Sequence, residues 1–483
     1  MQSIFSNAQN LQINGGQFTN SSRKVEISGL HNGLDILRQR SALEAVLDSK
    51  ERFDPPKCDP DTRIAIIAQV MAWIRDEDPV ATMMWLHGPA GAGKSALAQS
   101  IAELCQAEGL LAASFFFSRT AANRSDGRAL IPTIVYQLAL CLPIATTLIK
   151  QCVEKDPSIL ERSNETQAEK LLVEPFNSWL TFILSWISGT FIFRYTFRSQ
   201  PQPRLIVIDG LDECHDPEVQ CDLLRIIGGV IQRFQFPFRV LITSRPESHI
   251  VHTFEHLAVL KSVKLTRLDL RDDVNAHRDI LIFLQKEFYK MRNTHPLRRF
   301  IPNPWPHPDT VMELARRSSG QFIYASTIIK YIQSPKHRPT DRLQVILGLS
   351  PPPVNDSPFA QLDALYTHVF ACVEDKLSVL PIFGILIITR GEGDGLVKEL
   401  TTPTRIEEVL SLQPGDVELL LDDLLSIISL DGPNEPIQLL HASIADYLLN
   451  PLRSGQLCID IGMTHEMLAR GYLNLLSHLK RTY

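Results

Sequence analysis

Hydrophobic and polar positions along the chain change period several times, and each change marks an element. Leu34, Ile36, Leu37, Leu43, Val46 and Leu47 recur at helical spacing, and the three prolines of "DPPKCDPDTR" break the pattern. "RIAIIAQVMAWIRDED" reads as an amphipathic helix. "TMMWLHG" reads as a short apolar strand buried on both faces and ending in glycine. Helical spacing returns at Leu97, Ile101, Leu104 and Cys105 and stops at Gly109. "LLAASFFFSR" is a second strand, "LIPTIVYQLALCLP" a helix bounded by Pro143, and "RLIVIDGLDEC" and "FRVLITSRPE" are two further apolar strands. Strands alternating with helices in this way predict a doubly wound, parallel α/β sheet.

The pattern then turns mainly helical. "DDVNAHRDILIFLQKEF" and "TVMELARRSSGQFIYASTIIKYIQ" flank the proline-rich "IPNPWPHPD", and "SPPPVNDSP" at 350–358 marks a linker or domain boundary. A mixed unit follows to about residue 452, with the helices "QLDALYTHVFACVEDKL" and "DVELLLDDLLSII" and a β-hairpin, "ISLDGPNEPIQLLH", with a polar tip. No repeat of 30 to 45 residues is visible in the chain.

Two stretches stand apart. The first 22 residues carry no charge and eight of the first twenty are Asn or Gln, which predicts a flexible tail or a small, assembly-prone hairpin. Pro175 to Phe193 is a run of 19 residues without a charge, long enough for a bilayer span but interrupted by Pro, Asn, Ser, Thr and Gly.

Charge and cysteine usage narrow the classes. The net charge of −6 leaves no overall basic field to hold nucleic acid nonspecifically, although a local patch remains open. Eight cysteines without a C-x-x-C pair predict a reduced, intracellular protein with core thiols. "MQSIFSNAQNLQ" lacks the basic and apolar regions of a signal peptide, which makes the cytoplasm the expected compartment.

The chemistry concentrates at strand ends. Gly88-Pro89-Ala90-Gly91-Ala92-Gly93-Lys94-Ser95 matches G-x-x-x-x-G-K-[ST] between an apolar strand and a helix start that continues into Ala96. In that setting glycines let backbone N–H groups wrap phosphate oxygens, Lys94 neutralises the β and γ phosphates, and the Ser95 hydroxyl serves Mg²⁺. Asp209 ends a buried strand and suits a Mg²⁺ ligand, held directly or through water; Asp212 and Glu213 follow where an attacking water would lie. "VLITSRPE" ends on Thr243, Ser244 and Arg245 at the edge facing the ligand crevice, so Arg245 could sense the γ-phosphate. A membrane crossing at 175–193 would set Lys94 and Asp209 on opposite sides of a bilayer although both must reach one nucleotide, which argues against it.

"GPAGAGKS", "LIVIDGLDEC" and "VLITSRPE", with "RFDPPKCDPDTR", "SFFFSR", "SSGQFIYAST" and "LLHASIADYLL", resemble the NACHT branch of the signal-transducing P-loop ATPases, in the versions common in mushroom-forming fungi. The resemblance spans nearly the whole chain. After the Asn/Gln-rich tail at 1–28 and the helical lead-in at 29–55 read from the pattern above, it implies a NACHT P-loop NTPase domain at 56–268 and a helical domain at 269–349. A winged-helix domain at 355–452 and the start of a further helical region at 453–483 would follow.

The stretch near 175–200 departs from that pattern, as an insertion or as translated intron sequence. On this resemblance ADP would hold a closed form, and exchange for ATP would open it and promote self-association. Asp209 would bind Mg²⁺ with Ser95, Glu213 or Asp212 would serve hydrolysis, Arg245 would be the sensor, Thr62 and Arg63 would line the base side, and His441 would touch the ADP β-phosphate. By its position after an apolar hairpin strand alone, His441 could equally be a structural cap.

The function that follows is a nucleotide-dependent signalling switch of the innate-immunity or cell-death type, with slow hydrolysis as its timer. ATP/ADP is the expected nucleotide, with GTP left open, and Mg²⁺ the expected metal. Relatives of this type commonly continue into ligand-detecting repeats, so another protein would supply the sensor or effector. The alternatives are a constitutive ATPase or remodelling motor, and a truncated, non-signalling relative.

Overall fold

The computed structural model describes residues 32–52, 55–76, 81–119, 121–177, 205–234, 238–256, 260, 264–349, 357–389, 399–441 and 443–479. Five parallel strands form one sheet: β1 (Met83–His87), β2 (Leu111–Phe116), β3 (Leu205–Asp209), β4 (Arg239–Ser244) and β5 (Leu265–Asp269), in the order β2-β3-β4-β1-β5. Alternate side chains enter different cores, as strand geometry requires. Met83, Trp85, Phe115, Ile206, Ile208, Val240 and Ile242 lie in one core, and Met84, Leu86, Phe116, Leu205, Val207 and Leu241 in the other. The sheet is therefore covered on both faces, which is why its central strands read as uninterrupted apolar runs.

Helices α1 (Gly33–Arg40), α4 (Leu130–Cys141) and α6 (Pro217–Arg233) pack in the first core; α2 (Ile64–Arg75) and α3 (Lys94–Ala107) pack in the second, and α5 (Pro143–Lys155) joins the first beside α1. The stretch 29–55, set out above as a helical lead-in, is α-helical only over Gly33–Arg40 among its described residues. Leu37, Ala42 and Ala45 share the core beneath the sheet. The strand β5 was not foreseen in the sequence. It lies at the sheet edge, pairs with β1 alone, and its Leu265-Thr266-Arg267 are only partly covered, so it lacks the apolar signature of the other four.

Beyond β5 the described chain is helical apart from one small hairpin. After α7 (Ser248–His256), which lies between β4 and β5, come α8 (Ala276–Thr294), α9 (Pro308–Arg317), α10 (Phe322–Ile332) and α11 (Pro339–Leu347), then α12 (Ala360–Ala371) and α13 (Lys376–Ile388). "TVMELARRSSGQFIYASTIIKYIQ" is not one helix: Ser319 and Gly320 both have left-handed backbone, φ 48° and 78°, and the chain turns between α9 and α10. The hairpin pairs β6 (Ile428–Ser429) with β7 (Gln438–Leu439), two residues on each side. Residues 269–349 and 355–452, set out above as two domains, contribute to one apolar core running from Ile280 to Ile459. Ala90 of the glycine loop belongs to that same core.

Among the described residues no helix is long and apolar enough to cross a membrane. The Asn/Gln-rich tail and most of the apolar stretch 175–200 lie outside the described residues. All eight cysteines are unpaired. Burial pushes the Cys105 thiol up to about 12 and those of Cys58 and Cys141 to about 11, so they act as apolar core groups.

Candidate nucleotide site

The glycine loop leaves the C-terminal end of β1 and α3 begins at Lys94. The opening amides of α3, those of Lys94, Ser95 and Ala96, have no acceptor one turn back within the helix, which makes this end an anion-binding terminus. Gly91 and Gly93 adopt φ 78° and 94°, a region that side-chain-bearing residues resist, and this curls the loop. Lys94 Nζ donates to the carbonyls of Gly88 at 2.8 Å and Pro89 at 2.9 Å. Burial lowers the ammonium to about 8, opposed chiefly by Asp212, with Asp209 and Glu213 adding to that opposition.

Asp209 closes β3 and is buried. Its Oδ1 accepts from the Thr243 hydroxyl at 2.6 Å, and the same hydroxyl accepts from the Gly210 N–H at 2.9 Å. Burial raises the Asp209 carboxyl above its ordinary range, while hydrogen bonds from Thr243 and Ser95 pull it back. The Ser95 hydroxyl and the Asp209 carboxylate thus meet, as β4 lies between β1 and β3 and supplies Thr243 to orient the acid. This hard-oxygen pair fits a Mg²⁺ ion, which keeps most of its own waters and needs one or two protein ligands beside the phosphates.

Ser244, grouped above with the crevice-facing residues, instead accepts from the Trp85 indole N–H at 2.9 Å and is buried on the far face of β4. The alternation of a strand forces this split between Thr243 and Ser244.

Arg245 grips Asp212 twice. Its backbone N–H donates to Asp212 Oδ1 at 3.0 Å and its Nε lies 3.2 Å from Oδ2. Glu213 is raised to about 7, first by burial and then by Asp212 and Asp209. Its Oε2 accepts only a long bond, 3.4 Å, from the Arg119 N–H.

Thr62 and Arg63 sit beside the loop, both buried. The Thr62 hydroxyl is turned into its own turn, donating to Asp59 O at 2.9 Å. Arg63 has left-handed backbone (φ 58°), its N–H donates to Asp279 at 2.7 Å, and its guanidinium joins Asp273 and donates to the Ala92 carbonyl at 2.9 Å. Its side chain is thus a brace between the loop and the segment around α8. His441 is buried, with Tyr366 Oη 3.1 Å and Ser443 Oγ 2.5 Å from Nδ1. Ser443 N–H, at the start of the helix Ser443–Leu448, donates to the same nitrogen at 3.1 Å. The Leu440 carbonyl next to it accepts from Gln321 Nε2 at 3.1 Å.

The sequence profile described as nephrocystin 3, N-terminal, matches residues 66–245, from α2 through the glycine loop and Asp209 to Arg245. The chain carries a P-loop NTPase domain. No protein of curated function matches the chain. Among solved structures, the Walker-type ATPase of Pyrococcus abyssi is similar at 12% identity over 81% of this chain and 97% of its own, with a TM-score of 0.45. PCH-2 of C. elegans is similar at 11% identity over 63% and 72%, TM-score 0.31. The ORC1 protein of Aeropyrum pernix in complex with DNA is similar at 15% identity over 80% and 90%, TM-score 0.29.

The NTPase site holds residues that local patterns did not reveal. Glu247, two residues past Arg245, is raised to about 7, first by burial and then by Asp212. Arg119, just past β2, donates into the acidic loop after β3. Arg52 stacks 3.5 Å from the Phe116 ring centroid and donates to Gln99 on α3 at 2.6 Å; burial lowers it to about 10. "SFFFSR" and "SRPE" were visible as motif fragments, but nothing local says that Arg119 and Glu247 converge.

The loop is also touched from far downstream. Ala90 N–H donates to the Ser426 carbonyl at 2.9 Å, and Ile323 N–H donates to the Gly91 carbonyl at 3.3 Å.

Proposed function

We propose that this chain is a nucleotide-dependent signalling switch of the NACHT type, binding ATP or ADP with Mg²⁺ and hydrolysing ATP slowly. The observation that carries the reading is the pair of hydrogen bonds by which Ser426 and Ile323 engage Ala90 and Gly91. A phosphate-binding loop bonded to a region more than 200 residues later in the chain cannot reshape around different nucleotides without that region responding. Two hydrogen bonds at about 1 kcal/mol each, with the apolar contact of Ile323 on Gly91, amount to a few kcal/mol. Reversing a 1:99 equilibrium takes about 5.5 kcal/mol of differential affinity, so these contacts are of the size that a nucleotide can overcome.

In this reading Lys94 and the α3 amides hold the phosphates, and Ser95 and Asp209 hold Mg²⁺, which would stabilise phosphate charge. Asp212 is occupied by Arg245, so Glu213, raised and weakly bonded, is the better candidate to accept the proton of an attacking water. The helical region after β5, including a winged-helix-like unit around β6 and β7, is the part that opens and promotes self-association. Another protein supplies the trigger or the output.

The test is to identify the nucleotide that copurifies and to compare oligomeric state and turnover with ADP, with ATP, and in Lys94→Ala and Asp209→Ala. Tight ADP, slow turnover and assembly only with ATP are expected, with Lys94→Ala losing nucleotide. Turnover of many ATP per second without a change in oligomeric state would instead establish an ordinary ATPase motor.

A further inference from the structure

Arg119 is half-buried and sits where three parts of the molecule meet. Its Nε and Nη2 both donate to the Asp212 carbonyl, at 3.2 and 2.6 Å, and its backbone N–H points to Glu213 Oε2. Nη2 also lies 3.4 Å from Glu247 Oε1. Nη1 donates to His368 Nε2 at 3.0 Å, and Cys372 Sγ is 3.9 Å away; His368 lies on α12 and Cys372 is its C-cap. One planar guanidinium therefore spans the acidic loop, the segment after β4, and a helix that follows 249 residues later.

From these contacts we infer that Arg119 is a positioning residue that couples the seating of α12 to the placement of the Glu213 loop. The inference rests on the hydrolytic reading given above. Asp212 is fixed from two sides, its carboxylate by Arg245 and its carbonyl by Arg119, so the direction in which Glu213 leaves the loop depends on both. Among the described residues Arg245 makes no hydrogen bond to α12 and reaches His368 only through its charge, whereas Arg119 commits Nη1 to it. When α12 is seated, His368 holds the guanidinium in the plane that reaches Asp212. When α12 moves away, Nη1 loses its acceptor and the side chain regains its rotamers, loosening the loop. Arg119 touches neither the glycine loop nor Lys94 by any of these bonds, so its effect falls on turnover rather than on nucleotide binding.

The full chain carrying Arg119→Ala, Arg119→Lys, His368→Ala and the Arg119→Ala/His368→Ala pair tests this. Single-turnover ATP hydrolysis, fluorescent-nucleotide titration and hydrogen exchange of the 210–215 and 360–372 peptides are the readouts. Arg119→Ala is expected to slow hydrolysis roughly 10- to 100-fold with nucleotide affinity held within about 3-fold, the loss typical of a misplaced catalytic group. Arg119→Lys, which keeps one donor to the carbonyl, recovers part of the rate. His368→Ala slows hydrolysis by about 3-fold and adds nothing in the Arg119→Ala background, the non-additivity expected of groups acting in series. Exchange should quicken in both peptides in Arg119→Ala.

Additive effects of the two alanines, or an unchanged 360–372 peptide, would overturn the coupling. So would a loss of nucleotide affinity matching the loss of rate. If the wild type binds nucleotide without hydrolysing it, the hydrolytic reading falls; faster exchange in both peptides then still sustains the coupling, and unchanged exchange overturns it.

Discussion

Truncating Arg63 removes a buried charge with several partners at once, and the cost can be worked from the contacts. The Arg63 and Asp273 side chains are 3% and 7% exposed, so little water can replace the guanidinium when Arg63→Ala is made. Breaking a buried pair by deleting one partner costs about 3–5 kcal/mol, mostly from the carboxylate left behind. The Ala92 carbonyl also loses a charged donor, and Phe322 loses a cation stacked 5.0 Å from its ring centroid. These losses overlap with the first and are not added to it. The backbone bond from residue 63 to Asp279 survives the substitution, and the left-handed φ of 58° strains alanine as much as arginine, so neither changes the balance.

The expected destabilisation is about 3–5 kcal/mol in urea unfolding, with Arg63→Ala/Asp273→Ala recovering roughly 2 kcal/mol relative to the sum of the singles. Nucleotide affinity should fall about tenfold, because a released Ala92 carbonyl frees the loop that curls around phosphate. A destabilisation below about 1 kcal/mol with an additive cycle would refute the reasoning, since that is the behaviour of a solvent-screened pair.

Other perturbations follow from the same geometry. Glu213→Gln should lower hydrolysis by about 10²- to 10⁴-fold while leaving nucleotide binding, measured by single-turnover kinetics and titration. Glu213 is raised from 4.5 to about 7, so the proton is bound more tightly in the fold than in the unfolded chain. Stability from this group is therefore greatest at low pH and is lost as pH rises from 4.5 to about 7; Glu213→Gln should stabilise the protein at pH 8 by at most about 3 kcal/mol, less with its partial exposure.

The same value makes the base form appear as pH rises through about 7, so hydrolysis should climb over that range, with Mg²⁺ at Asp209 moving the rise to lower pH; a flat profile counts against Glu213 as the base. Gly91→Ala places a methyl 2.3 Å from Ile323 Cγ2 at φ 78°, so it should loosen the contact of α10 with the loop and shift the ADP-to-ATP affinity ratio, measurable by competitive titration.

The elements legible in the sequence were those whose signal is local. Four buried strands announced themselves because both faces are covered, and the glycine loop because its backbone needs residues that accept left-handed φ at 91 and 93. Asp209 was legible as an acid closing such a strand. The edge strand β5 was not, because half-covered residues such as Thr266 and Arg267 carry no apolar pattern. The break between α9 and α10 was written in "SSG" but competed with helical periodicity on either side.

By itself, then, the sequence determined the phosphate-binding loop, the acid that faces it and the layered α/β class, since short-range backbone preference and apolar periodicity suffice for those. The tertiary structure alone decided the strand order that sets Thr243 rather than Ser244 against Asp209. It alone brought Arg119, Glu247 and His368 together and laid Ser426 and Ile323 on the loop. Those juxtapositions join residues up to more than 300 positions apart, where the packing of two cores and not any local pattern fixes which side chains meet.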